Sequence, residues 1–180
     1  MQTSPEFLIR NTLKPGDLGQ VAALHGKIYA EEHGFGIGFE AYVMKSLVEF
    51  YQNYNLQKDK VWVVESNGKL VGFLLLMHRP ENVAQLRYFV LEKKFRGRGI
   101  GKQLMQEWMD FYHSRGYSRA YLYTTSGLDS AASLYQRVGF EKVSEMVSTN
   151  FGVELLEVYY ELIFDRRSCS RCGNNRRYGQ

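Results

Sequence analysis

Apolar residues recur at helical spacing from Asp17 to Glu32, where Leu18, Val21, Ala22, Leu24, Ile28 and Tyr29 repeat every three or four positions. Before them, Phe7 to Asn11 reads as a short strand closed by Pro15-Gly16. The three glycines of His33 to Gly38 end the first helix, and a second is predicted from about Phe39, with Tyr42, Val43, Leu47, Phe50 and Tyr51 on one face. Lys60 to Ser66 and Lys69 to His78 are rich in β-formers and flank Asn67-Gly68, a strong hairpin signal. Pro80 and Asn82 make the next turn, and Val83 to Leu91 forms a long strand. Its alternation puts Leu86, Tyr88 and Val90 on one face and Gln85, Arg87, Phe89 and Leu91 on the other. A strongly amphipathic helix follows, with Ile100, Leu104, Met105, Trp108, Met109, Phe111 and Tyr112 as its buried stripe and Gly116 as its stop. Tyr117 to Thr125 is predicted as a strand and Asp129 to Val138 as a short helix ended by Gly139. Strands then begin at Phe140 and run from about Glu154 to Phe164.

This order fixes the class as α/β with a mixed sheet. Strand–helix–strand units impose parallel pairing at the centre, and the hairpin imposes antiparallel pairing beside it. A chain of 180 residues is the size of one domain. The composition shifts only at residue 165: residues 1–164 read as the folded domain, and 165–180 as an arginine-rich extension expected to be disordered. That extension holds five arginines, and without them 18 basic residues face 19 acidic ones. The body is near neutral, which argues against nucleic acid as the main partner. Only Cys169 and Cys172 occur, both in the extension, so a disulfide framework and a core thiol nucleophile are excluded, and one C-x-x-C supplies only half a structural zinc site. No metal site is expected. The longest apolar run, Phe73 to Met77, is too short to cross a bilayer, and MQTSPEFLIR shows no secretory leader, so a cytoplasmic protein is expected.

Candidate chemistry concentrates in FVLEKKFRGRGIGKQLM, a strand, a basic turn, three glycines and a helix. A helix N-terminus carries unpaired N–H groups and about half a positive charge, which suits a phosphate. Glycine lets the backbone approach an anion and adopt positive φ. Arg96, Arg98 and Lys102 add charge around that point. The plainer reading is a strand-to-helix turn with solvated arginines. A P-loop fails because residue 96 is arginine and Gln103 follows Lys102; a dinucleotide fingerprint fails because residue 102 is not glycine.

What matches is R-x-x-G-x-G, as Arg96, Gly99 and Gly101, between strand and helix. This resembles the acetyl-CoA signature of the GNAT superfamily of N-acetyltransferases. The stretch SLYQRVGFEKV, Ser133 to Val143, is similar to a later motif of that family, a tyrosine on a short helix followed by Gly-Phe and a strand. HGKIYAEEHGFGIGFE, TTSGL and GVEL resemble a bacterial subgroup also found fused to winged-helix regulators. The resemblance implies the GNAT fold, a mixed and mostly antiparallel sheet with splayed parallel central strands and flanking helices. It implies acetyl-CoA as co-substrate, its pantetheine on backbone groups at Val90 and Leu91, which also polarise the thioester carbonyl. Its pyrophosphate would lie on the loop Arg96, Gly97, Arg98, Gly99, Ile100, Gly101 and Lys102. Tyr135 matches the family tyrosine near the CoA sulfur and is the implied general acid. The family's asparagine seven residues earlier is Leu128 here; Ser126, with Thr124 and Thr125, offers replacement hydroxyls, or else ordinary strand-end and N-cap chemistry.

The implied reaction is direct transfer to a primary amine of a small molecule or peptide, on a monomer or homodimer. The alternative is a non-catalytic acyl-CoA-binding module. The acceptor cleft is expected beside the first two helices, where Glu31, Glu32 and Glu40 would attract a cationic amine and Tyr29, Phe35 and Phe39 would frame it. Exposed acids of this kind are also ordinary solvated surface. His33, Glu154 and Glu157 are further possible bases, and no motif selects among them.

Overall fold

The computed structural model describes residues 6–163. The predicted extension, with Cys169 and Cys172, and the predicted end of the last strand at Phe164 lie outside the described residues. In chain order the elements are β1 (Leu8–Arg10), α1 (Asp17–His33), α2 (Ile37–Gln52), β2 (Lys60–Ser66), β3 (Lys69–Arg79), β4 (Val83–Leu91), α3 (Ile100–Ser114), β5 (Arg119–Thr125), α4 (Asp129–Arg137), β6 (Glu141–Ser148) and β7 (Leu155–Ile163). They form one seven-stranded sheet in the order β1-β2-β3-β4-β5-β7-β6. Every neighbouring pair is antiparallel except β4 with β5. The expected mixed, mostly antiparallel sheet is therefore present. Among the described residues no helix is long and apolar enough to cross a membrane.

Two cores sandwich the sheet. On one face α3 and Tyr135 of α4 pack on Trp62, Val64, Leu74, Leu76, Ala84 and Leu86. On the other, α1 and α2 pack on Val61, Val63, Phe73, Leu75 and Met77. β3 contributes to both, which explains its unbroken apolar run: a central strand covered on both faces has no polar side to show. The stripe predicted on α3 is buried residue for residue. On α2 the predicted face is corrected. Phe39, Val43, Ser46, Leu47 and Phe50 are buried, whereas Tyr42 and Tyr51 are 47% and 58% exposed. The helix also starts at Ile37 rather than Phe39, flanked by Gly36 in an extended conformation. α1 stops where Gly34 turns left-handed (φ 72), its N–H bonding Ala30 O at 3.1 Å.

β4 departs from simple alternation. Leu75 pairs with Arg87 and Phe73 with Val90, so β4 uses one residue more than β3 over this stretch. That is a β-bulge. Tyr88 takes the left-handed conformation there (φ 56). The alternation changes phase across it: Leu86 faces α3, Tyr88 and Val90 face α1 and α2, and Leu91 faces α3 again. The sequence-based grouping of Leu86 with Tyr88 and Val90 is thus overturned. Tyr88 is held by burial of its ring and by its hydroxyl, which donates to Ser46 Oγ at 2.5 Å.

Gly72 lies opposite Leu91 across this strand pair, and an added Cβ would come 2.6 Å from Leu91 Cδ1 and 3.1 Å from Val90 O. Gly72→Ala is expected to cost about 1–3 kcal/mol by overpacking. Gly19, in the α1 helix with nothing within 4 Å, is the contrast: Gly19→Ala is expected to stabilise by about 0.5–1 kcal/mol. Denaturant melts of both variants check the opposite signs.

Candidate active site

β4 and β5 begin as neighbours and then part. Their parallel pairing covers only Val83–Gln85 against Arg119–Tyr121. Beyond it β4 stays with β3 as far as Leu91, while β5 stays with β7 as far as Thr125. The edges of residues 86–91 and 122–125 therefore face each other across a gap. A cavity of about 140 Å³ opens there, lined among others by His25, Tyr29, Arg87, Tyr123, Thr124, Tyr135 and Glu157. A larger cavity of about 690 Å³ lies at the opposite end of β4, around His78–Asn82 and Arg115. Ligands of open α/β sheets sit outside the carboxyl ends of the parallel strands, which selects the smaller cavity.

The glycine loop adjoins that gap. After Leu91 a 3-10 turn, Lys93–Phe95, buries Phe95 and swings the chain outward. Gly97 and Gly99 both take left-handed backbone (φ 73 and 81), and each Cβ position meets nothing within 4 Å. Gly99 is the N-cap of α3, which has no side-chain cap and no acid in its first turn. The first amides of a helix have no partner within it, so here they open to one side with a positive field. Ile100 is buried and anchors the helix start, while Lys102 is exposed on the first turn. Gly101 packs closely: a Cβ there would be 3.2 Å from Leu134 Cδ1 and 3.6 Å from Phe89 Cζ.

The arginines of the loop differ from the sequence-based picture. Arg96 Nε donates to Leu91 O at 2.8 Å, and its NH1 donates to Glu32 Oε2 at 2.7 Å. Arg96 thus ties the end of β4 to the last turn of α1, and its charge is matched before any ligand arrives. Glu32 is held below the usual carboxylate range by the Arg96 hydrogen bond, against a smaller opposing effect of burial. Arg98 lies over the ring of Phe95 at 5.6 Å.

The remaining predicted residues divide. Val90 and Leu91 stand at the end of β4, on opposite faces. Tyr29, Phe39 and Tyr135 line the cavity, with Phe35 beside them; Glu32, Glu40 and Ser126 do not. The Glu40 side chain lies over Gly26 of α1, where a Cβ would meet its Oε2 at 2.4 Å. Ser126 is exposed, its N–H on Leu156 O at 2.9 Å, while Thr124 and Thr125 reach the cavity in its place. Residues that the sequence reading did not select are His25, Arg87, Tyr42 and Phe151. His25 is four positions before Tyr29, a spacing that places both on one helix face and was available as a signal. Phe151 carried none: it lies in the β6–β7 connection, which reaches the α1–α2 turn through Gly36 N–H on Phe151 O at 2.9 Å.

Burial governs the protonation of this cleft. Tyr135 is 5% exposed among Phe89, Phe140 and Tyr160, and burial lifts its phenol well above the ordinary tyrosine range, with Tyr29 and Tyr160 adding to the effect. Burial likewise raises Tyr29 to about 12, partly opposed by Arg96. His25 stacks on Tyr29, and its Nδ1 lies 2.8 Å from Val21 O. A carbonyl only accepts, so Nδ1 bears the hydrogen and Nε2 is the unprotonated nitrogen. Burial lowers His25 to about 4, with the Arg87 charge acting in the same direction.

Known proteins share this chain's sequence profile and its fold. The sequence profile described as the acetyltransferase (GNAT) family matches residues 27–140. The Escherichia coli N-acetyltransferase YjgM is 33% identical over 54% of this chain and 60% of its own length. The rat N-acetyltransferase family 8 member 2 is 32% identical over 60% of this chain and 52% of its own. The matched region thus spans between half and two thirds of these two relatives. An acetyltransferase of Salmonella typhimurium, solved with its cofactor acetyl-CoA, superposes with a TM-score of 0.68 at 19% identity, covering 89% of this chain and 95% of that one. With the profile covering well over half its length, from α1 through the motif that carries Tyr135, this chain belongs to the GNAT family of acetyltransferases.

Proposed function

We propose that this protein transfers the acetyl group of acetyl-CoA directly to a primary amine of a small molecule or peptide. The observation that carries this reading is the adjacency of two features. The cavity walled by Tyr135, Tyr29 and His25 lies in the gap between β4 and β5, and the chain leaves β4 directly into the uncapped, glycine-rich start of α3, where Gly101 packs beside Phe89 of the cavity wall. The residues present fit the co-substrate: two left-handed glycines with open space above them, first-turn amides without a cap, and a gap between parallel strands. Acetyl-CoA, when bound, supplies an acyl group activated as a thioester.

The amides of Gly97 to Lys102 bind a diphosphate, with Arg98 and Lys102 adding charge beside them. Arg96 acts by fixing the loop against α1 rather than as a free cation. The edge at Val90 and Leu91 orients an extended arm. Phe35, Phe39 and Phe151 pack as a cluster over the α1–α2 side and exclude water there. Tyr135 holds a proton at Oη throughout the neutral range and is the donor for the leaving group. His25 stays neutral and presents an acceptor rather than a competing cation to an incoming amine. A cytoplasmic location and a monomer or homodimer belong to the same reading.

Tyr135→Phe is expected to lower kcat by about a hundredfold or more, with the affinity for acetyl-CoA retained. Free-thiol release across a panel of primary amines measures it, and equal turnover removes the acid role. Absence of thiol release with every amine, despite tight acetyl-CoA binding, would replace the enzyme by a binding module.

A second expectation concerns pH. The folded-state value of His25, about 4, lies below its ordinary 6.5, so protons favour the unfolded chain between these values. Stability is full above pH 6.5 and declines as pH falls toward 4, by up to about 3 kcal/mol. Asp17 acts in a lower window. Burial alone would raise it, but hydrogen bonds from Arg10 and from the Lys14 N–H outweigh that and hold it below 3.8. Its contribution is present above pH 3.8 and is lost as the medium becomes more acid. Denaturant melts of wild type and His25→Phe across pH 4–7 separate the two; an equal slope in both proteins contradicts the burial of a neutral His25.

A further inference from the structure

Most arginines that border the sheet meet a carboxylate. Arg10 pairs with Asp17 and Glu65, Arg79 with Glu49, Arg96 with Glu32 and Arg119 with Glu161. Arg87 is different. Its NH2 donates to Tyr42 Oη at 2.9 Å, and its guanidinium lies over the rings of Tyr88 and Tyr42 at 4.9 and 5.9 Å. Among the described residues no carboxylate forms an ion pair with it. Arg87 lines the cleft together with His25, Tyr29, Phe39, Tyr135 and Phe151.

The bulge explains why the charge is there. Leu75, the pairing partner of Arg87, faces the α1–α2 core, and so does Tyr88, the bulged residue that follows. Two successive side chains of β4 therefore project to the acceptor side, the second stacking under the first. A guanidinium offers five N–H donors in a plane, and one bond to a phenol leaves a fork of the shape that a carboxylate accepts in two bonds. Neighbouring groups do not neutralise it: His25 is uncharged and Tyr29 and Tyr88 keep their protons, burial being the main cause in each case. Glu157, the acid that lines this cleft, is on β7 and accepts from Asn150 Nδ2 at 3.2 Å.

We propose that Arg87 is the carboxylate anchor of the acceptor site, and that the acceptor is a small amine whose own molecule carries a carboxylate, as in an α-amino acid. Its apolar or aromatic body lies against Phe35, Phe39 and Phe151, and its amine lies toward Tyr135, with His25 Nε2 and Glu157 as acceptors for N–H groups. A neutral amine of the same shape leaves the Arg87 fork unfilled in a partly desolvated cleft, where charge-assisted bonds are strong. This inference rests on the acetyl-transfer reading for the identity of the bound molecule, but binding and transfer are separately measurable.

The test compares N-acetyl-L-phenylalanine with N-acetylphenethylamine, which lacks only the carboxylate. Calorimetry with CoA present is run on wild type, Arg87→Lys and Arg87→Gln, with circular dichroism confirming each fold. Wild type is expected to favour the acid by about tenfold to a hundredfold. The preference shrinks in Arg87→Lys, which keeps the charge without the fork, and approaches one in Arg87→Gln. Equal affinities in wild type, a preference that survives Arg87→Gln, or binding of neither compound overturns the assignment. Thiol release from acetyl-CoA with L-phenylalanine and phenethylamine is the separate arm. A binding preference without release on either amine sustains the anchor and removes acetyl transfer; equal release on both overturns the anchor while sustaining transfer.

Discussion

One surplus residue in β4 organises the rest of the molecule. With three residues of β4 spanning what two of β3 span, the strand bends and its hydrogen-bonding edge turns away from β5. Tyr88 absorbs the change in a left-handed conformation, which costs a non-glycine residue about 1–2 kcal/mol. Burying its ring against α1 and α2 is worth about 2 kcal/mol, and the hydroxyl bond to Ser46 of α2 adds to that. The strain is thus offset locally, by packing on a helix that borders the same cleft.

Parting the strands has a second consequence. The edge of residues 86–91 lacks a sheet partner on the β5 side, and the chain then enters a loop whose glycines also leave amides without partners. Unpaired backbone groups are costly unless solvated or bonded. Here they follow one another along the chain, from the free edge of β4 into the start of α3. Arg96 holds the loop in place. With one bond back to Leu91 O and one across to Glu32, it fixes the exit of β4 and the end of α1 in a single frame. The glycine loop and the end of α1 are therefore tied together through one side chain.

Elements dictated by local chemistry were legible in the sequence. The stripe of α3 was readable in full because it needs only the helical period and one covered face. The Asn67-Gly68 hairpin needs only its turn, whose two residues both take left-handed backbone. Misreadings arose wherever a distant partner decides. The α2 face was misjudged because Ser46, polar in the sequence, is buried as the partner of Tyr88, while Tyr42 turns out toward Arg87. The phase of β4 was misjudged because a bulge is set by the register with β3, and nothing within Val83–Leu91 announces it. Glu32 and Glu40 read as free acids, yet one is spent on Arg96 and the other lies across Gly26. The glycine loop was legible because a helix start and three glycines are contiguous, whereas the cavity is assembled from α1, α2, β4, β5, α4, β7 and the β6–β7 connection.

That dispersed origin determines the chemistry of the cleft. Its walls come from both cores, so its polar groups lie at depths where burial outweighs charge in setting protonation. Tyr135 and Tyr29 are driven toward keeping their protons, and His25 toward losing its own. All three shifts favour the neutral form of the group, as a low-dielectric site requires. Arg87 is the exception, since a guanidinium does not give up its proton. A cleft that keeps its buried phenols and imidazole neutral but retains a fixed guanidinium discriminates by charge at that point and by shape elsewhere. A molecule entering it with an uncharged amine and a fixed negative group meets complementary surroundings at both ends.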